Sequence, residues 1–177
     1  MDRLALSFEL FPPRRPEEIG KILDVATALN GLDASFISVT YGAGGSSQNR
    51  TVDIVRGVAE RGCPVAGHLT CAGAPRAVVD GVLEDYRAAG VRRVVILRGD
   101  STDGIGQPYR PHPDGYPYAS DLLAAARRND PDLDISVGCY PETHPEARGL
   151  SDEIEILKRK FDAGANRGLT QFFFEPE

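Results

Sequence analysis

A chain of 177 residues fits one domain. With 41% hydrophobic residues, 26% charged residues and a formal charge of -6, it reads as a mildly acidic globular protein. That balance argues against broad binding to nucleic acid or to an anionic membrane, both of which call for basic surface.

Six apolar, strand-like runs, each carrying a polar or charged residue among its apolar ones, recur along the chain, with helix-like segments between them. They are Leu6–Phe11, Phe36–Tyr41, Val65–Cys71, Val94–Asp100, Ile135–Tyr140 and Leu169–Phe174. Strand and helix alternating in this way predict a parallel sheet with crossover helices. In such sheets, and above all in a (β/α) barrel, the carboxyl ends of the strands carry the site.

In chain order, the first run leads through Pro12-Pro13 into a helix start at Arg15-Pro16-Glu17-Glu18. Ile19, Ile22, Leu23, Ala26 and Leu29 then follow at helical spacing. The second run opens into Tyr41-Gly42-Ala43-Gly44-Gly45-Ser46-Ser47, a loop that resembles a phosphate cradle only loosely and fits neither nucleotide-binding glycine pattern. A helix follows to about Glu60. After the third run, Ala77 to Ala89 is amphipathic. The fourth run gives way to a long Gly-, Pro- and Tyr-rich stretch, Ser101–Pro117, of the kind that is usually functional or mobile. Ala119–Arg128 is a short helix. Ser151–Ala163 is a stronger one with Ser151 as its expected N-cap. Two corners look alike, Ala88-Ala89-Gly90-Val91-Arg92-Arg93 and Asp162-Ala163-Gly164-Ala165-Asn166-Arg167, each a helix end, a glycine and an arginine that enters a strand.

No apolar run approaches the roughly 20 residues of a membrane span, and no long apolar signal region stands at the start. Cys63, Cys71 and Cys139 have no C-x-x-C spacing, so reduced thiols are expected rather than a disulfide frame or a zinc site. The expected location is the cytoplasm. A complete eight-unit barrel takes about 250 residues. Six units fit here, and the last strand has no helix after it, so the chain is expected to be part of a longer domain or to need a partner.

Strand alternation places Ser7, Glu9 and Phe11 on one face and Phe8 and Leu10 on the other. Glu9 is then either a carboxylate whose pKa burial raises, suited to a general acid, or a surface or ion-paired strand glutamate. Ser38 and Thr40 share one face, as do His68 and Thr70, which suggests a polar barrel mouth. His68 taken alone reads as a core histidine bonded to backbone, and no second histidine stands at metal-ligand spacing. Arg98-Gly99-Asp100 could hold an anion and a polar ring edge, or form a turn with a local salt bridge. Lys158-Arg159-Lys160 is either a solvated face or a pyrophosphate contact.

Taken together, Ser7-Phe8-Glu9-Leu10-Phe11-Pro12-Pro13, Ser38-Val39-Thr40-Tyr41-Gly42, His68-Leu69-Thr70-Cys71, Leu97-Arg98-Gly99-Asp100, Tyr118-Ala119-Ser120-Asp121-Leu122, Tyr140-Pro141-Glu142-Thr143-His144-Pro145-Glu146-Ala147, Leu157-Lys158-Arg159-Lys160 and Thr170-Gln171-Phe172-Phe173-Phe174 stand in one order. This pattern resembles the bacterial methylenetetrahydrofolate reductase family over essentially the whole chain. The resemblance implies the first six units of an FAD-binding (β/α)8 TIM barrel. It implies reduction of 5,10-methylenetetrahydrofolate to 5-methyltetrahydrofolate with NAD(P)H through bound FAD. Glu9 matches the general acid that opens the folate's five-membered ring. Asp100 matches the carboxylate that stabilises the cationic iminium, and Gln171 matches a substrate contact. Thr40, His68, Leu97, Arg98, Gly99, Asp100, Tyr118, Ala119, Tyr140, His144, Arg159 and Lys160 match positions that line FAD. Glu153 and Ile156 depart from the family's usual aspartate and asparagine, which bears on adenosine and ribose binding. Family members commonly form homo-oligomers, and the same is expected here. Two rival readings are a flavin- or folate-binding module without turnover and a subunit completed by a partner.

Overall fold

The computed structural model describes residues 5–42, 45–101 and 107–174, so Ala43 and Gly44 of the glycine-rich loop and residues 102–106 of the long loop lie outside it. The strands are β1 (Ser7–Leu10), β2 (Phe36–Val39), β3 (Val65–Thr70), β4 (Arg93–Leu97), β5 (Asp134–Cys139) and β6 (Arg167–Thr170). Between them run α1 (Ile19–Asn30, after a 3-10 turn at Pro16–Glu18), α2 (Gly45–Glu60), α3 (Arg76–Ala88), α4 (Ala119–Asn129) and α5 (Leu150–Asp162). Every strand pairs in parallel with the next in the chain, giving one sheet in the order β1-β2-β3-β4-β5-β6. This is the strand order of a (β/α)8 barrel with six of its eight units, as the spacing predicts.

The two faces of the sheet have different chemistry. Ile37, Val39, Val65, Leu69, Val94, Ile96, Ile135 and Val137 alternate along their strands and are buried in the apolar core beneath the helices. The helices meet them with Ala26 of α1, Val52, Val55 and Val58 of α2, Val79, Val82 and Tyr86 of α3, and Leu122, Leu123 and Ala126 of α4. Burying a side chain of this size stabilises the fold by about 1.5–3 kcal/mol. The register sets a second row of residues on the concave face: Glu9 opposite Ser38, Ser38 opposite Ala66, His68 opposite Val95, and Ser136 opposite Arg167.

Gly67 belongs to the outer row, and its missing side chain is used. A Cβ there would lie 2.4 Å from the Tyr86 ring, whose hydroxyl donates to the backbone carbonyl of His68 at 2.9 Å. The tyrosine fills the gap and ties α3 to the strand.

Two boundaries differ from the sequence reading. The N-cap of α5 is Gly149, and the helix begins at Leu150, so Ser151 is already inside it. Strand β6 ends at Thr170 instead of running through Phe174. The Gln171 amide still donates to the Cys139 carbonyl at 2.8 Å, but the next amide turns to the Gln171 side chain and the Phe174 amide bonds Glu142. The run of three phenylalanines thus leaves the ladder, with Phe172 and Phe174 78% and 77% exposed. Both ends of the sheet, β1 and β6, are edges. Beside β6, α5 buries only Glu153 and leaves Leu150, Ile154 and Phe161 exposed.

The two look-alike corners have the same geometry and a common destination. Gly90 and Gly164 both take positive φ, +76° and +107°. Arg93 and Arg167, which follow them, converge on Asp134 at the amino end of the concave face. Arg167 also reaches the buried Ser136 hydroxyl, and Arg93 lies 4.4 Å over the Phe36 ring. Burial alone would raise the Asp134 carboxyl, but the hydrogen bonds from Arg167 and Arg93 outweigh it and hold the group below the usual carboxylate range.

Candidate active site

At the carboxyl ends of the strands, the concave face gathers most of the predicted residues. Glu9 points into it from β1. Its Oε2 stands 3.4 Å from Nε2 of His68, on β3. Glu9 is half-exposed, whereas the His68 side chain is 7% exposed. Burial pushes the Glu9 carboxyl above its ordinary value and pulls the imidazole down to about 4. At neutral pH the histidine is therefore uncharged and the contact is not an ion pair. Nor is it a well-formed hydrogen bond, since Nε2 of His68 is buried without a hydrogen-bond partner. The backbone bond expected for a core histidine runs elsewhere, from Tyr86 to the His68 carbonyl.

Thr40 follows β2. Its amide donates to the Leu10 carbonyl at 2.9 Å and its own carbonyl accepts from Thr51 at 3.0 Å, so the backbone is held between β1 and α2. Leu97 ends β4 half-buried. Gly99, just beyond, has φ +88°, and a Cβ there would press on Thr70 and Ala72 at 3.0 Å. Glycine is thus required on two counts, by dihedral angle and by close approach. Asp100 is exposed, and its charge is felt by Tyr140.

Arg98 is not paired with Asp100. Its guanidinium forks onto Glu146 at 2.6 and 3.1 Å, its Nε donates to the Gly99 carbonyl at 3.1 Å, and it lies 4.4 Å over the Tyr109 ring. Burial works against the charge, yet the Glu146 contact leaves the arginine more basic than usual. Glu146 in turn is held below the carboxylate range by Arg98. The loop Tyr109–Tyr116 is itself anchored on α3, where the Tyr116 hydroxyl donates to Asp80 at 2.8 Å and Arg76 donates to the Gly115 carbonyl at 3.2 Å.

Tyr118 caps α4 and stacks near Tyr109 with ring centroids 6.2 Å apart, and Ala119 is buried in the first turn. After β5, Tyr140 meets the His144 ring edge-on at 4.8 Å. The His144 amide donates to the buried Glu153 carboxylate at 3.2 Å. On α5, Lys160 turns inward and donates to the Gly138 carbonyl at 2.7 Å, and burial lowers its pKa. Arg159, its neighbour, is exposed and reaches back to the Glu155 carbonyl. The basic triplet is therefore split, with one residue facing the strand ends and two facing solvent. Gln171 is exposed, with its side-chain oxygen taken by the Phe172 amide. Ile156 is half-buried.

Sequence reasoning gave no role to Glu146, Tyr86 or Asp134. Glu146 stands within the Tyr140–Ala147 motif, but nothing local marks it as the partner of an arginine 48 residues away.

Comparison with known proteins bears on the whole chain. A sequence model of the family described as methylenetetrahydrofolate reductase matches residues 1–177. A 5,10-methylenetetrahydrofolate reductase of Salmonella typhimurium is 42% identical over 176 residues, which is 99% of this chain and 57% of that protein. The figures for the Escherichia coli protein of the same name are equal. A methylenetetrahydrofolate reductase (NADH) 1 of Zea mays is 33% identical, over 99% of this chain and 31% of its own length. The chain thus spans little more than half the length of the bacterial relatives it matches. Among solved structures, a phosphonopyruvate hydrolase complexed with oxalate and Mg++ superposes with a TM-score of 0.67 at 16% identity, covering 96% of this chain and 58% of that one. A 2,3-dimethylmalate lyase gives 0.63 at 16% identity over 99% and 61%. At such identities these two speak for the fold alone. The family model and the sequence relatives speak for more, since the model matches the whole chain and the bacterial relatives are 42% identical over 99% of it: this chain belongs to the methylenetetrahydrofolate reductase family.

Proposed function

We propose that this chain forms a single FAD-binding domain of a reductase that converts 5,10-methylenetetrahydrofolate to 5-methyltetrahydrofolate at the expense of NAD(P)H. Bound FAD would supply the hydride chemistry. The residues present suit that group. Gly99 leaves a bare backbone at a strand end where no side chain fits, His68 offers a buried unpartnered nitrogen, and the Lys160 ammonium faces the same end of the sheet. Thr40, Leu97, Arg98, Asp100, Tyr140 and His144 would complete the lining. Tyr118 and Ala119 would approach from α4 and Arg159 from α5.

The observation that carries the reading is the Glu9–His68 pair. Opening the folate's five-membered ring needs a proton on the departing nitrogen, and a carboxyl raised by burial can deliver it. A protonated imidazole at 3.4 Å would favour the carboxylate and empty the acid. Burial keeps His68 neutral, so Glu9 keeps its raised pKa. Ring opening leaves a cationic iminium on the substrate, which Asp100 would stabilise as a fixed carboxylate, while Gln171 would contact the substrate. Folate and NAD(P)H are the small-molecule partners on this reading. The location is the cytoplasm, the assembly is a homo-oligomer, and neither nucleic acid nor a membrane is engaged. Among the described residues no helix is long and apolar enough to cross a membrane.

The test is spectroscopic. Purified chain should retain or take up FAD, and anaerobic NADH or NADPH should bleach the bound flavin. Added methylenetetrahydrofolate should then restore the oxidised spectrum. Bleaching without reoxidation by the folate would leave only a flavin-binding module, and no flavin uptake would remove the proposal.

A further inference from the structure

The tip of β4 and the loop between β5 and α5 are joined by the Arg98–Glu146 fork, and the surroundings of that fork suit it to hold the loop in place. Arg98 is fixed from three sides, by the Gly99 carbonyl on Nε, by Glu146 on both terminal nitrogens, and by the Tyr109 ring below its plane. Glu146 is fixed at its own backbone, where its amide donates to Nδ1 of His144 at 3.1 Å. His144 is gripped in turn. Its carbonyl accepts from the Ala147 amide at 2.9 Å, its amide donates to Glu153, and its ring meets Tyr140. A run of contacts therefore leads from Arg98 through Glu146 and His144 to Tyr140. A forked arginine–carboxylate pair sets orientation as well as distance, which a single contact does not. Pairing also compensates the arginine's charge. What Arg98 offers a ligand is then its upper face and two remaining N–H groups on a plane oriented by these contacts, and not a free cation.

We propose that Glu146 is a positioning residue for flavin binding, which clamps Arg98 and holds the β5–α5 loop, with Tyr140 and His144, closed against the tip of β4. The proposal rests on the flavin reading above. In that arrangement Glu146 touches no ligand and acts through Arg98 and the loop.

Two measurements on the 177-residue chain test it. Flavin fluorescence quenching on titration with FAD should show Glu146→Gln binding about tenfold more weakly than the parent, through faster release, with Glu146→Asp intermediate because the shorter acid keeps the charge but loses the fork. Hydrogen exchange without flavin should be faster in Glu146→Gln at the amides of His144 and Ala147, and unchanged in β3 and β4. The charge-swapped pair Arg98→Glu with Glu146→Arg should recover the slow exchange and not the affinity, since the guanidinium then stands on the wrong element. Tighter FAD binding by Glu146→Gln would mean that the carboxylate competes with an anionic part of the ligand, and the proposal would be wrong. Unchanged exchange at His144 and Ala147 would overturn the clamp whatever the flavin data show. If the parent chain quenches no flavin, it is the flavin reading that fails, while the exchange result still decides whether Glu146 holds the loop.

Discussion

Glu9 on β1 and His68 on β3 come within 3.4 Å of one another although β2 lies between their strands. In a flat sheet strands two apart stand about 10 Å from each other. Curvature of the sheet toward its polar face lets the two side chains lean together. The contact therefore reports on barrel shape as much as on chemistry, and it joins a raised acid to a suppressed base.

Glu9→Gln should abolish the folate half-reaction and spare reduction of flavin by NAD(P)H, because an amide cannot donate the required proton. General acid groups are typically worth 10²–10⁴ in rate, so a loss of about that size is expected. Stopped-flow spectra of each half-reaction, in a protein carrying the relatives' full length, separate the two. Equal losses in both would remove Glu9 from the acid role.

Stability should fall in mild acid because of His68. Its folded value, about 4, lies below the ordinary 6.5, so the unfolded chain takes up this proton first as the pH drops. The contribution is complete above about pH 6.5 and is lost progressively between there and about pH 4. From the linkage relation it amounts to roughly 2 kcal/mol between about pH 7.5 and about pH 5. Urea melts at the two pH values should show that slope in the parent and a flatter one in His68→Asn. Equal slopes would mean that the imidazole is not suppressed.

Gly67→Ala should destabilise by about 1–3 kcal/mol through overpacking, since the new methyl would meet ring carbons of Tyr86 at 2.4 Å. Tyr86→Phe should give no relief, because the ring stays. Tyr86→Leu should relieve most of the clash. A double-mutant cycle by denaturant melts measures the coupling, and additivity of Gly67→Ala with Tyr86→Leu would contradict the packing described.

Asp134→Ala should leave Arg93 and Arg167 facing each other without their shared acceptor. A cost of about 1–3 kcal/mol is expected, which for a chain of this size lowers Tm by roughly 2–12 °C. Because the folded carboxyl is held below its usual range, its contribution is present above the unfolded value and disappears as pH falls through the folded one. Thermal scans of parent and variant should therefore converge in acid. Parallel curves down to pH 2 would argue against the bridge.

How much of this was legible in the residues follows from distance along the chain. The six strands and the faces of Glu9, Ser38, Thr40 and His68 are written in two-residue alternation, a local signal. The glycine at position 99 is marked by its place at the end of β4. The partners of Arg98, Arg93 and Arg167 lie 48, 41 and 33 residues away, and no local pattern encodes them. The repeated corner speaks for repeated units and is silent on this bridge, which arises because two arginines entering alternate strands at equivalent positions can share the strand between them. The end of β6 was misplaced because aromatic residues favour strands wherever a partner exists, and the Phe174 amide is taken instead by the Glu142 side chain. The basic triplet on α5 could not be apportioned from spacing alone, as helix rotation sends Lys160 inward and Arg159 out.

The strictly sequential strand order has a consequence for how the chain acquires its structure. Each strand finds its partner one helix further along, so no pairing must wait for a distant segment to arrive. Each pairing closes over a single β/α unit, so assembly can spread unit by unit from whichever neighbouring pair forms first, much as in a repeat array. The central pair, β3 and β4, shares five residue pairs in register and should be the last to open under native conditions, whereas β1 and β6, each held from one side, should open first. A chain emerging amino end first could therefore lock its early units while the later ones are still being made, with Glu9 and His68 brought together before β4 is complete.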